Sequence, residues 1–250
     1  MSESIAYRHV AVITGGGTGI GRATAVTLAR SGWSVALVGR RREPLEETAS
    51  ACRDANPAAS AHVITADVTD PDQCRAVIDQ TDQHFGRLDA LINNAGGGPS
   101  GAIADATPDQ IRQNLAVNAL APAWLTHFAW PIFVRQGAGC VVNVSSMSAH
   151  DPYPGLFGYA AGKAACESMI RSIHNERGEL NIRAFAVAPG AVETALLRSY
   201  IDESVVPRSA TMAPDVIARV IADCALGRHD DRDGQTLIVQ SAEHAHSSPD

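Results

Sequence analysis

Seven short apolar runs, separated by stretches of helical periodicity, recur along the chain from "HVAVIT" (9–14) to "QTLIVQ" (235–240). The other runs are "SVALVG" (34–39), "AHVITADV" (61–68), "LDALINNAG" (88–96), "GCVVNVSS" (139–146) and "IRAFAVAPG" (182–190). A short run with no polar alternation reads as a strand covered on both faces. Strands alternating with helices imply a parallel sheet with helices on either side, and right-handed crossovers make it doubly wound. The expected fold is therefore α/β, a Rossmann-type doubly wound sheet of about seven strands. No repeat or composition break divides the chain, so 1–240 is read as one unit. The polar "SAEHAHSSPD" (241–250) is read as a mobile tail. Pro122 is expected to bend or interrupt the long helical region 107–137.

In such a sheet the ligand crevice lies beyond the carboxyl ends of the strands. After the first strand comes "TGGGTGIG" (14–21). Glycines there permit a tight turn, and the helix that follows offers backbone N–H groups and a partial positive charge to a phosphate. Gly15, Gly17, Thr18, Gly19, Ile20 and Gly21 are the candidate cradle, although the spacing is not GxGxxG. After the second strand an NAD site usually presents a carboxylate to the ribose 2′-hydroxyl. Here Gly39 is followed by Arg40 and Arg41, with no carboxylate before Glu43. Arginine suits a 2′-phosphate, which argues for NADP(H) over NAD(H). Arg42 is read as part of a solvated helix start. After the third strand, Asp67 and Val68 are placed against an adenine. After the fourth, Asn94, Ala95 and Gly96 would lie beside a ribose, while Asn93 is open to a strand-tying role.

The chemistry is expected after the fifth strand. Tyr159 and Lys163 stand one helical turn apart, on one face. A free phenol has a pKa of about 10, so phenolate is scarce at neutral pH, and an ammonium beside it favours ionisation. Tyr159 can then act as a general acid for a developing alkoxide, or as a base in reverse. The Ser146 hydroxyl can hold a carbonyl oxygen. Asn118, on the long helical region, is placed to bind a water that relays protons to Lys163.

Taken together, these residues resemble the short-chain dehydrogenase/reductase family in its compact single-domain branch. The resemblance rests on TGxxxGxG at 14–21, NNAG at 93–96, Asn118, Ser146, YxxxK at 159–163 and PGxVxT at 189–194. It implies Tyr159 as acid/base and Lys163 as the group that lowers its pKa and bonds the nicotinamide ribose. It also implies Ser146 as polariser, Asn118 as relay, and Pro189, Gly190, Val192 and Thr194 around the nicotinamide. A homotetramer or homodimer is implied too. The tetramer is less secure, because "IVQSAEH" lacks the family's aspartate-glycine-glycine ending. Gly162 stands where many relatives carry serine. At roughly 1 kcal/mol of helix propensity, it is expected to loosen Lys163 slightly.

The net charge of −7 and the lack of a basic block argue against nucleic acid or an anionic membrane as partner. That charge and "GELNIR" (178–183) also disfavour an acyl carrier protein as substrate carrier. Five scattered cysteines without CxxC, and nine histidines without HExxH, give neither a disulfide framework nor a metal site. Reduced thiols and a start without signal-peptide character point to the cytoplasm. Substrate contacts are expected from Ser148, His150, Tyr153 and Phe157 in the 147–157 loop, and from Leu196 after Thr194. For His150 a merely solvated loop histidine is the alternative. Such an apolar lining suits a hydrophobic ketone, aldehyde or secondary alcohol. Reduction of a carbonyl is the leading expectation. Oxidation of an alcohol by the same residues is the second, and a cofactor-binding regulatory protein without turnover the third.

Overall fold

The computed structural model describes residues 9–240; the expected mobile tail lies outside them. Seven parallel strands form one sheet in the order β3-β2-β1-β4-β5-β6-β7. They are β1 (Val10–Thr14), β2 (Ser34–Gly39), β3 (Ala61–Thr65), β4 (Ala90–Asn93), β5 (Ala138–Val144), β6 (Asn181–Pro189) and β7 (Thr236–Val239). The order reverses between β1 and β4, where Ile13 pairs with Ile92. That reversal opens the crevice expected of a doubly wound sheet. The central strands β1, β2 and β4 are buried almost throughout, which is why they read as unbroken apolar runs. β3, at the sheet edge, is only partly buried and stops at Thr65, short of the longer run 61–68.

Two cores flank the sheet. One packs α1 (Gly19–Arg30), α2 (Arg42–Ala55) and α8 (Pro214–Ala225) against Ala11, Ile13, Leu37, Ile92 and Val142. The other packs α3 (Pro71–Phe85), α5 (Ala121–Gln136) and α6 (Phe157–Glu176) against Val10, Val12, Val38, Leu91 and Val141. Alternate residues of each strand feed opposite cores, as the period of two requires. The short α7 (Ala195–Tyr200) covers the crevice instead.

The break in the 107–137 region does not sit at Pro122. α4 (Pro108–Leu115) runs into a π-helical turn at Ala116–Leu120, and α5 follows with Pro122 in its first turn. Because the π turn runs straight into α5, the missing N–H of Pro122 deprives the Asn118 carbonyl of its usual helical donor. The widened turn shows in the Ala121 N–H, which donates to the Ala116 carbonyl five residues back. Asn118 lies at the centre of this turn. Pro131, inside α5, leaves the helix continuous to Gln136.

Among the described residues no helix is long and apolar enough to cross a membrane, and no His/Cys/Asp/Glu cluster could hold a metal ion. The five cysteines are free and buried. Burial pushes the Cys52 thiol up to about 11 and the Cys74 thiol up to about 12, so thiolate is scarce even at mildly alkaline pH. A disulfide reagent should therefore leave the native protein unmodified over minutes and titrate all five thiols in denaturant. Rapid titration of one thiol in the native state would contradict this packing.

Candidate active site

A cleft of about 1330 Å³ runs across the carboxyl ends of the strands. At its floor the glycine loop and the β4 turn are stitched together. Thr14 Oγ1 accepts the N–H groups of Asn94 at 3.0 Å and Ala95 at 2.9 Å. Asn94 Nδ2 donates back to the Thr14 carbonyl at 2.8 Å. Gly15 takes φ +64°, a region that favours glycine. A Cβ at Gly21 would stand 2.3 Å from the Gly15 carbonyl oxygen, so the start of α1 can close on the loop only with glycine there. Thr18 opens α1 in extended conformation without capping it by its side chain, which leaves the first-turn N–H groups turned to the cleft. Gly15, Gly17, Thr18, Gly19 and Ile20 line the cleft; Gly21 does not, and its role is this packing.

Arg40 and Arg41 line the same end and are exposed, with no ion pair among the described residues. Arg42 pairs with Glu46 at 2.8 Å, the solvated helix start expected of it. Asp67 and Val68 line the cleft wall, and Asp67 Oδ1 accepts the Thr69 N–H at 3.0 Å and hydroxyl at 2.8 Å. Asn94, Ala95 and Gly96 face the cleft as well. Asn93 takes the strand-tying role, donating to Asn143 Oδ1 at 2.9 Å. Pro189, Gly190, Val192 and Thr194 form the opposite wall. These positions leave room for a dinucleotide from the α1 terminus to Lys163, and the glycines keep that path open. At Gly96, for example, a Cβ would stand 2.8 Å from Lys163 Nζ.

Tyr159 and Lys163 are 8% and 4% exposed. α6 brings both to the end of β5, where Lys163 Nζ donates to the Val144 carbonyl at 2.6 Å. Ser146 lies near enough to Tyr159 to draw its phenol pKa down, and its Oγ accepts the Ser148 N–H at 3.1 Å. The expected lowering of the Tyr159 pKa by Lys163 is not found. Nζ lies 5.6 Å from the ring centroid, and burial pushes the phenol up to about 12 while Ser146 draws it down. Burial also lowers the Lys163 ammonium. Burial thus favours the neutral form of both groups.

Asn118 comes to the site, and its side chain is bonded to the backbone on both sides. Nδ2 donates to the Gly97 carbonyl at 2.7 Å and the Asn114 carbonyl at 2.8 Å, and Oδ1 accepts the Gly97 N–H at 3.2 Å. The amide clamps the segment after NNAG. Its backbone carbonyl is another matter, because Pro122 has no N–H to close the usual helical bond to it.

Among the expected substrate contacts, Ser148, Tyr153 and Leu196 line the cleft. His150 does not; its Nε2 lies 3.1 Å from Glu167 Oε1. Phe157, at the exposed start of α6, is also off the cleft. Tyr200 stands closer to the chemistry, its ring edge-on to Tyr159 at 5.7 Å and its hydroxyl donating to the Gly98 carbonyl at 3.0 Å. Sequence reasoning missed the structural parts of Thr14 and Glu167. Glu167 carried one signal, its place one turn beyond Lys163 on the same helix face. The Gly162 expectation is also corrected. A Cβ there would stand 2.6 Å from Asn118 Cβ, so the glycine sets a tight contact between α6 and the π turn rather than a loose one.

A model of the family described as short chain dehydrogenase matches residues 9–204. Levodione reductase of Leifsonia aquatica is 35% identical over 78% of this chain and 73% of its own length. A 3alpha-hydroxysteroid dehydrogenase of Mediterraneibacter gnavus is 32% identical over 81% of each. A solved 7 alpha-hydroxysteroid dehydrogenase, in complex with NADH and 7-oxo glycochenodeoxycholic acid, superposes with a TM-score of 0.88. It is 27% identical and covers 95% of this chain and 94% of that one.

Gly162→Ser should destabilise the protein by about 1 kcal/mol net, the overpacking against Asn118 exceeding the gain in helix propensity. The urea midpoint measures it; a rise in the midpoint would contradict the tight contact.

Proposed function

Because this chain belongs to the short-chain dehydrogenase family and is an oxidoreductase acting between CH–OH and C=O groups, we propose that it reduces a hydrophobic ketone or aldehyde with NADPH. The observation that carries this reading is the convergence of Ser146, Tyr159 and Lys163 in one cleft whose far end presents Arg40 and Arg41. Bound NADPH supplies the hydride to the carbonyl carbon. Ser146 Oγ polarises the carbonyl oxygen, and the Tyr159 hydroxyl gives its proton to the alkoxide as it forms. The resulting phenolate is stabilised by the Ser146 hydroxyl and the Lys163 ammonium. Lys163 Nζ, beside Gly96, also holds the nicotinamide ribose. The Asn118 carbonyl, left open by Pro122, holds the water through which Tyr159 and Lys163 regain the proton.

Arg40, with Arg41, binds the 2′-phosphate. The substrate end is lined by Met147, Tyr153, Leu156, Leu196 and Tyr200, with the Asp151 carboxylate also facing the cleft. Such a wall suits neutral, apolar carbonyl compounds. The relatives named as dehydrogenases, one of them solved with NADH, favour a second reading, oxidation of a secondary alcohol by the same residues.

Calorimetric titration decides the cofactor. NADPH should bind wild type about tenfold to a hundredfold more tightly than NADH, a charge-assisted pair's worth. Arg40→Ala should erase most of that difference. Tighter NADH binding by wild type would overturn the phosphate site. In parallel, NADPH consumption with cyclohexanone, acetophenone and a bicyclic ketone tests the reduction, and no turnover with any of them would count against it.

A further inference from the structure

One buried carboxylate holds both ends of the segment that carries Ser146. Glu167 is 6% exposed and lies on α6, one turn beyond Lys163. Its Oε1 accepts the Ser145 hydroxyl at 2.6 Å and faces His150 Nε2 at 3.1 Å. Its Oε2 accepts the Thr236 hydroxyl of β7 at 3.3 Å. Ser145 immediately precedes Ser146, and its N–H donates to the Val187 carbonyl at 2.7 Å. His150 closes the short 3₁₀ turn Met147–Ala149 that follows, a turn capped by the Ser146 hydroxyl itself.

Burying a carboxylate costs free energy unless its lone pairs are filled by donors. Two hydroxyls, Ser145 just after β5 and Thr236 of β7, leave Oε1 with one neutral donor. The imidazole of His150 supplies the second, and it reaches Oε1 only when the 147–149 turn folds back over α6. The backbone path that satisfies Glu167 is then the path that sets the Ser146 hydroxyl against Tyr159. We propose that Glu167 and His150 form a positioning pair for Ser146, fixing its hydroxyl relative to the Tyr159 phenol. The inference rests on reading Ser146 and Tyr159 as the reacting pair. His150 lies off the cleft, so its effect passes through Ser146 and falls on the rate of the chemical step rather than on cofactor affinity.

The test compares full-length wild type with His150→Ala, His150→Gln, Glu167→Gln and the double variant His150→Ala/Glu167→Gln. Measured are NADPH affinity, kcat and KM for the best ketone of the panel, and backbone hydrogen exchange across 145–151. His150→Ala should lower kcat by about tenfold to a hundredfold, the loss expected from a misplacement of the order of an ångström. Its NADPH affinity should stay within about twofold, and the 146–150 amides should exchange faster. His150→Gln, which keeps an N–H donor, should recover most of the rate. The double variant should lose no more than the worse single, as for two residues acting as one unit.

Unchanged kcat in His150→Ala, even with a lower melting temperature, would reduce the tie to a stabilising contact and overturn the proposal. So would multiplying losses in the double variant. Wild-type turnover alone tests the reductase reading. If the panel yields none, the exchange contrast between wild type and His150→Ala still decides the tether, and equal exchange overturns it.

Discussion

A buried ammonium organises the cleft. Lys163 is almost fully enclosed, and the partner it finds is the Val144 carbonyl at the last residue of β5, 2.6 Å from Nζ. A cation in that position is expensive, which is why burial lowers its pKa. Holding it there demands that α6 run close over the end of β5 and that the neighbouring backbone carry no side chain. Gly96 and Gly162 meet that demand on two sides, one against Nζ and the other against Asn118. Tyr159 is carried in on the same helix face, and Ser146 waits at the end of the same strand. The three groups converge because one helix is forced onto one strand end.

The strand ends around this point are held by polar side chains in place of apolar packing. Asn93 reaches Asn143, whose Nδ2 donates to the Cys166 carbonyl on α6 at 2.9 Å. Thr14 and Asn94 lock the glycine loop to the β4 turn, and Asn118 locks the segment after it. Such networks repay burial only when nearly every member is satisfied, and then they fix a unique geometry. Catalysis of hydride and proton transfer needs that fixity, because the reacting atoms must be aligned before the barrier is crossed.

Much of this was legible in the sequence. The runs at 9–14 and 34–39 are unbroken because β1 and β2 are covered on both faces, and the crevice followed from strand order. The chemistry-bearing residues were legible because each follows a strand or sits one turn from another. What escaped depends on contacts between distant segments. Pro122 looked like the breaker, and the irregularity does lie beside it, but as a π turn over Ala116–Leu120 that keeps the helical path continuous. Gly162 looked weak by propensity because propensity does not see Asn118 across the interface. His150 and Phe157 sit in the expected loop, but the periodicity of a loop does not tell which side chains face inward. His150 turns to a carboxylate seventeen residues further along the chain, and Phe157 turns to solvent.

The central claim is that Tyr159 delivers the proton that accompanies hydride transfer in this cleft. Its most direct test uses NADPH dideuterated at nicotinamide C4 with a ketone substrate, and follows deuterium at the carbinol carbon of the product by mass spectrometry. Labelled alcohol is expected from wild type. From Tyr159→Phe the rate should be lower by about a hundredfold or more, with NADPH still bound. Equal labelling rates in the two proteins would contradict that claim.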